Sequence, residues 1–202
     1  MGACVIVSVA SFKGGVGKTT TAVHFAAYLN TLAPTLLLDA DSTKNATAWS
    51  QRGQGFGFRV AGIGQAAKLS KDFQHVVIDT GQRPSMEDLK AAAEDCDLLV
   101  IPAVPASLDT DGLGQTLRAL KELGAAGYRV LLTKVPPYGA KEATELRGLL
   151  AELNASVFTS EIPRLTAFEK AATHGQIVNQ TSDKNAARAW EAYAAAGREV
   201  TR

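Results

Sequence analysis

The segment Lys13-Gly14-Gly15-Val16-Gly17-Lys18-Thr19-Thr20 constrains this chain more than any other. It lies between a near-continuous apolar run, residues 4–9, and a helical pattern, residues 19–32. A strand buried on both faces, a glycine-rich loop and a helix in that order make a cradle for phosphate. Gly14, Gly15 and Gly17 admit dihedrals that let several N–H groups converge on an oxyanion. The helix that starts near Lys18 adds a positive end of roughly half a unit charge. In such a loop Lys18 bridges the β- and γ-phosphates, and the Thr19 hydroxyl ligates Mg²⁺. The general pattern GxxxxGK[ST] is not met at its start, where Phe12 stands in place of the first glycine.

Further along, short apolar runs alternate with longer helical patterns, as a parallel α/β sheet requires. Residues 35–38 and 75–78 read as strands, each ending at an aspartate. Residues 98–101 form another, stopped by Pro102 and Pro105, and residues 130–132 a further one. Leu113, Leu117, Leu120 and Leu123 share a helical face, and residues 141–153 form a helix after Pro136-Pro137. A last helix, capped by Ser182 or Asp183, runs to about Val200. In the Gly-rich stretch 53–64 only a short strand at 58–60 is legible. The expected fold is a mostly parallel central sheet with helices on both faces, in one domain over residues 1–202.

A site for Mg²⁺ and a triphosphate also needs carboxylates at the carboxyl ends of neighbouring strands. Asp39 and Asp41 follow the second strand and Asp79 ends the third. A strand-terminal aspartate is equally a common helix cap, so the assignment draws its weight from the phosphate loop.

Composition narrows the partners. Lys and Arg nearly cancel Asp and Glu, for a net charge of +1, so any nucleic-acid contact must come from a local patch. Two cysteines, Cys4 and Cys96, have no metal-ligand spacing and read as buried thiols. No apolar run approaches the roughly 20 residues of a membrane span. His24, His75 and His174 share no spacing and read as structural, and Trp49 and Trp190 as packing anchors.

KGGVGKTT resembles the deviant Walker A motif of the ParA/MinD family of P-loop ATPases. The resemblance implies ATP and Mg²⁺ as cofactors and a homodimer that closes around two nucleotides. Lys13 is then the extra lysine that reaches the partner subunit's phosphates, joining Lys18 and Asp41 as catalytic residues. Gly14, Gly15, Val16, Gly17, Lys18, Thr19 and Thr20 cradle the phosphates. Asp39 supports the metal with Thr19, Asp41 orients the attacking water, and Asp79 resembles the Walker B aspartate that holds Mg²⁺ through a water. Pro163 opens a segment that in the family lies near the adenine. Thr133 stands where the family often has an adenine-reading Asn, and Ser42-Thr43 where it commonly has Pro-Gln. Asp109 and Asp111 fall in a segment near the family's dimer interface. The length and the run Ala167-Phe168-Glu169-Lys170-Ala171-Ala172 are most like the small ParF-like plasmid members.

Within that family, exclusion favours a positioning role. The loop begins at Phe12, which leaves no room for an N-terminal helix-turn-helix domain. The final helix is lined with alanine, too weakly apolar for lipid insertion. Neither cysteine reads as available for an iron–sulfur cluster, and no terminal tyrosine cluster is present. The resemblance therefore implies a cytoplasmic, nucleoid-associated partition ATPase. It binds DNA nonspecifically, is released by a ParB-like or other adaptor, does not bind membranes, and segregates plasmid or chromosomal DNA. Lys184, Arg188, Arg198, Arg202, Arg164 and Lys170 are candidates for the DNA face. Two alternatives stay open: the same device with a protein cargo, a microcompartment or chemoreceptor array, and a nucleotide-dependent switch with negligible turnover.

Overall fold

The computed structural model describes residues 4–81, 84–105, 111–136 and 140–201, the side chains of Asp111 and Ala140 excepted. Seven parallel strands form one sheet in the order β3-β2-β4-β1-β5-β6-β7. They are β1 Val5–Val9, β2 Thr35–Asp39, β3 Arg59–Gly62, β4 His75–Asp79, β5 Leu98–Ala103, β6 Tyr128–Val135 and β7 Val157–Pro163. The connecting helices are α1 Lys18–Asn30, α2 Asn45–Gln51, α3 Ala66–Leu69, α4 Met86–Glu94, α5 Asp111–Glu122, α6 Ala140–Glu152, α7 Thr166–His174 and α8 Ala186–Val200.

Both faces of the sheet are covered, which is why its strands read as unbroken apolar runs. Val7, Val9, Leu37, Val77, Val100 and Leu131 pack toward α1, α7 and α8, in a core with Phe25, Ala171, Ala189 and Tyr193. Their neighbours Leu99, Ile101, Val130 and Leu132 point the other way, onto Leu89 of α4, Leu120 of α5 and Leu150 of α6. Because β1, β2 and β4 run parallel and in register, the loops that follow them lie together at one end of the sheet. Asp39 and Asp79 are direct register partners there, and Val9 sits opposite Asp79 on its other side.

The outer edge of β7 is closed by side chains rather than by another strand. Glu199 accepts the N–H groups of Thr159 and Ser160 at 2.9 and 2.8 Å. Arg147 donates to the carbonyls of Phe158 and Thr159 while pairing with Glu161 at 2.7 Å. An exposed edge would otherwise template pairing with other chains, and these charges block it.

Three sequence expectations change. Cys4 precedes the first ladder pair and is exposed, and Cys96 is half-buried, so neither is a buried core thiol. The last helix is capped at Asn185, because Asp183, two residues earlier, spends its carboxylate on the Asn185 N–H and on Lys170. The parallel strand β7 and the helices α2, α3, α4 and α7 were not read as elements; β7 escapes because most of its side chains stay at least partly exposed. Among the described residues no helix is long and apolar enough to cross a membrane.

Candidate functional site

The loop between β1 and α1 bends through two left-handed glycines, Gly15 at φ 74° and Gly17 at φ 91°. At Gly17 this conformation caps α1, so the helix opens at Lys18 with its N–H groups facing the loop. Gly14 and Gly15 are exposed, whereas Val16 and Lys18 are buried, which anchors the far side of the loop and leaves its crest open. The Lys18 ammonium donates to the Lys13 carbonyl at 3.2 Å. Burial lowers the Lys18 pKa, and the charges of Asp79 and Asp41 oppose the fall. The stem of Lys13 lies against Gly112 at the start of α5, and the Phe12 N–H meets the Thr116 hydroxyl there at 3.4 Å.

Beside the loop stand the three aspartates, all buried. Asp79 is fully enclosed, and among the described residues neither of its carboxylate oxygens has a well-formed hydrogen bond. Burial pushes its pKa up to about 7; the nearby Thr19 hydroxyl and Lys18 ammonium pull it down, and Asp39 and Asp41 add to the rise. An enclosed carboxylate with open lone pairs next to a threonine hydroxyl fits a divalent cation. Asp39 is more committed: its Oδ1 accepts the Asp41 N–H at 3.2 Å and its Oδ2 accepts the N–H and hydroxyl of Thr47 at 2.9 and 2.7 Å. It thereby caps the first turn of α2 across the loop, a contact that sequence reasoning missed. The one signal was a threonine in the first turn of a helix that follows a strand-terminal Asp.

Asp41 is held by its own turn. Its Oδ1 accepts both the N–H and the hydroxyl of Thr43, each at 2.8 Å. The departure at Ser42-Thr43 therefore adds a hydroxyl that orients the carboxylate and leaves Oδ2 for another partner.

A cavity of about 240 Å³ adjoins the loop, walled by Gly17, Thr20, Thr133, Lys134, Pro163 and Phe168. The structure thus brings Thr133 and Pro163 to the same hollow as the start of α1. The Thr133 hydroxyl, however, donates to the Val16 carbonyl at 2.8 Å and lies 3.3 Å from that of Ala103. Beneath the cavity His24 stacks on Tyr193, with ring centroids 4.8 Å apart. Asp109 and Arg202 lie outside the described residues. Of the basic candidates, Lys170 pairs with Asp183 and Arg198 with Glu191, while Lys184, Arg188 and Arg164 are exposed.

A parallel sheet, a glycine loop capping a helix and a buried acidic cluster beside it define a P-loop nucleotide-binding protein. Residues 7–178 match the CobQ/CobB/MinD/ParA nucleotide-binding domain, and the chain belongs to that family of nucleotide-binding ATPases. It is 36% identical over 203 residues to Maintenance of carboxysome distribution protein A of Gloeobacter kilaueensis, covering 98% of this chain and 94% of that protein. It is 26% identical over 193 residues to Protein ParA of Rhizobium radiobacter, covering 89% and 87%. A Cyanothece McdA variant in complex with ATP superposes with a TM-score of 0.73 at 17% identity, over 99% of this chain and 97% of that one; at that identity the likeness speaks for the fold.

Proposed function

We propose that this chain is a positioning ATPase whose cargo is a protein assembly of the carboxysome type. The observation that carries the reading is the 36% identity, over nearly the full length of both chains, to the carboxysome distribution protein. Sequence reasoning put a DNA cargo first and a protein compartment second; this relationship reverses the order.

In the proposed cycle Mg·ATP occupies the loop. Val16, Gly17 and Thr20 offer backbone N–H groups, Lys18 leaves the Lys13 carbonyl for the phosphates, and Thr19 and Asp79 hold Mg²⁺ with Asp39 in support. The bound metal supplies charge neutralisation at the phosphates. Asp41, steadied by Thr43, orients water toward the terminal phosphate. Lys13 sits at the rim of the site beside α5, and its ammonium reaches the nucleotide of a second copy, which makes dimerisation part of hydrolysis. The dimer holds nonspecific DNA as its track through Lys184, Arg188 and Arg164 of both copies. An adaptor protein bound to the cargo triggers hydrolysis and release.

Deleting the gene tests the cargo directly. Compartments that clump while plasmids are inherited normally support the proposal; plasmid loss with evenly spaced compartments overturns it. The similarity to Protein ParA of Rhizobium radiobacter favours that second outcome as the competing reading, with DNA itself as cargo. Phosphate release measured with DNA and adaptor separates both from a switch that does not turn over.

A further inference from the structure

Thr133 and Lys134 are consecutive residues of β6, yet both side chains reach the phosphate loop. The Thr133 hydroxyl donates to the Val16 carbonyl at 2.8 Å, and the Lys134 ammonium donates to the Gly15 carbonyl at 2.7 Å. Neighbours on a regular strand point to opposite faces, so this pair needs a break in the strand. The break is present. Leu132 pairs with Glu161 and Val135 with Pro163, which sets three steps on β6 against two on β7. Lys134 takes up the extra residue at φ 52°, a left-handed conformation unfavourable for lysine.

The consequence for the loop follows from the geometry of a trans peptide, whose C=O and N–H point in opposite directions. Holding the Gly15 carbonyl toward β6 turns the Val16 N–H away from that strand. Holding the Val16 carbonyl toward β6 does the same for the Gly17 N–H. We propose that Thr133 and Lys134 are positioning residues that aim these two N–H groups at phosphate, so that the bulge in β6 presets the anion nest. The proposal rests on the reading that the loop takes a triphosphate.

Calorimetric titration of the whole chain with Mg-tripolyphosphate, Mg-ATP and adenosine tests it. Lys134→Met keeps the stem and removes the donor. Its expected effect is about a tenfold loss for tripolyphosphate and the same factor for ATP, the low end for a hydrogen bond to a charged group. The melting temperature stays at the wild-type value, because Lys134 is exposed, and adenosine, which carries no phosphate for the two N–H groups, loses much less than tripolyphosphate. Thr133→Val loses a similar factor and Thr133→Ser restores it. Unchanged tripolyphosphate affinity in Lys134→Met overturns the proposal, as does a loss confined to adenosine and ATP, which would make Lys134 a wall of the base pocket only. A wild-type chain that binds neither ATP nor tripolyphosphate removes the underlying reading instead.

Discussion

Acid should destabilise this protein most strongly through a buried histidine. His24 is completely buried in α1, stacked on Tyr193 and edge-on to Phe168 and Trp49. Its Nε2 accepts the Val178 N–H at 3.2 Å, which leaves Nδ1 as the protonated nitrogen, donating to the Thr20 carbonyl at 2.7 Å. The neutral ring satisfies both partners; a second proton would turn the Val178 N–H against another donor. Burial pushes the pKa from 6.5 to about 4, with the Thr20 contact opposing. The unfolded chain takes a proton near pH 6.5 and the fold refuses it until about 4, so this stability is full above the first value and is lost as pH falls toward the second. At about 1.4 kcal/mol per pH unit the loss reaches about 2 kcal/mol by pH 5 and about 3 kcal/mol by pH 4. Urea unfolding at pH 7.5 and pH 5 measures it. His24→Gln should be less stable at both values but should lack this part of the pH dependence. His75 shifts in the same direction in both proteins and cancels in the comparison. Equal pH dependence in the two proteins, or a His24 imidazole titrating near 6.5 by NMR, would refute the reasoning.

Lys13→Ala should leave nucleotide binding largely intact and abolish the ATP-dependent dimer; sedimentation with and without ATP reads this directly. Asp41→Ala should form a dimer that persists, with phosphate release at least tenfold slower, and normal turnover would remove Asp41 from the mechanism. Gly175→Ala should cost more than about 3 kcal/mol in thermal or urea unfolding. Gly175 ends α7 at φ 66°, and an added Cβ would meet the backbone of Arg52 and Gly53. Arg147→Met should lower the melting temperature modestly and promote self-association, seen by light scattering, because it uncovers the carbonyls of β7.

Much of the molecule is legible along the chain because its signals are local. A glycine loop between an apolar strand and a helix is a contiguous pattern, and its physics needs no distant partner. The strands at 35–38, 75–78, 98–101 and 130–132 announced themselves because both faces of each are covered, which leaves no polar alternation. The aspartates 39, 41 and 79 were placed by the rule that ligands gather at strand carboxyl ends.

What the tertiary structure decided is non-local. An edge strand with half-exposed side chains carries no clear period, so β7 and the charged clamp on its rim appear only once α6 and α8 are in place. Thr47 lies eight residues from Asp39, and only the return of the chain into α2 makes it that carboxylate's partner. Thr133 and Lys134 lie more than a hundred residues beyond the phosphate loop; the parallel crossovers and one inserted residue in β6 bring their donors to its carbonyls. Composition and spacing specify which groups are available, whereas the direction in which a buried donor points depends on backbone geometry supplied by the whole sheet.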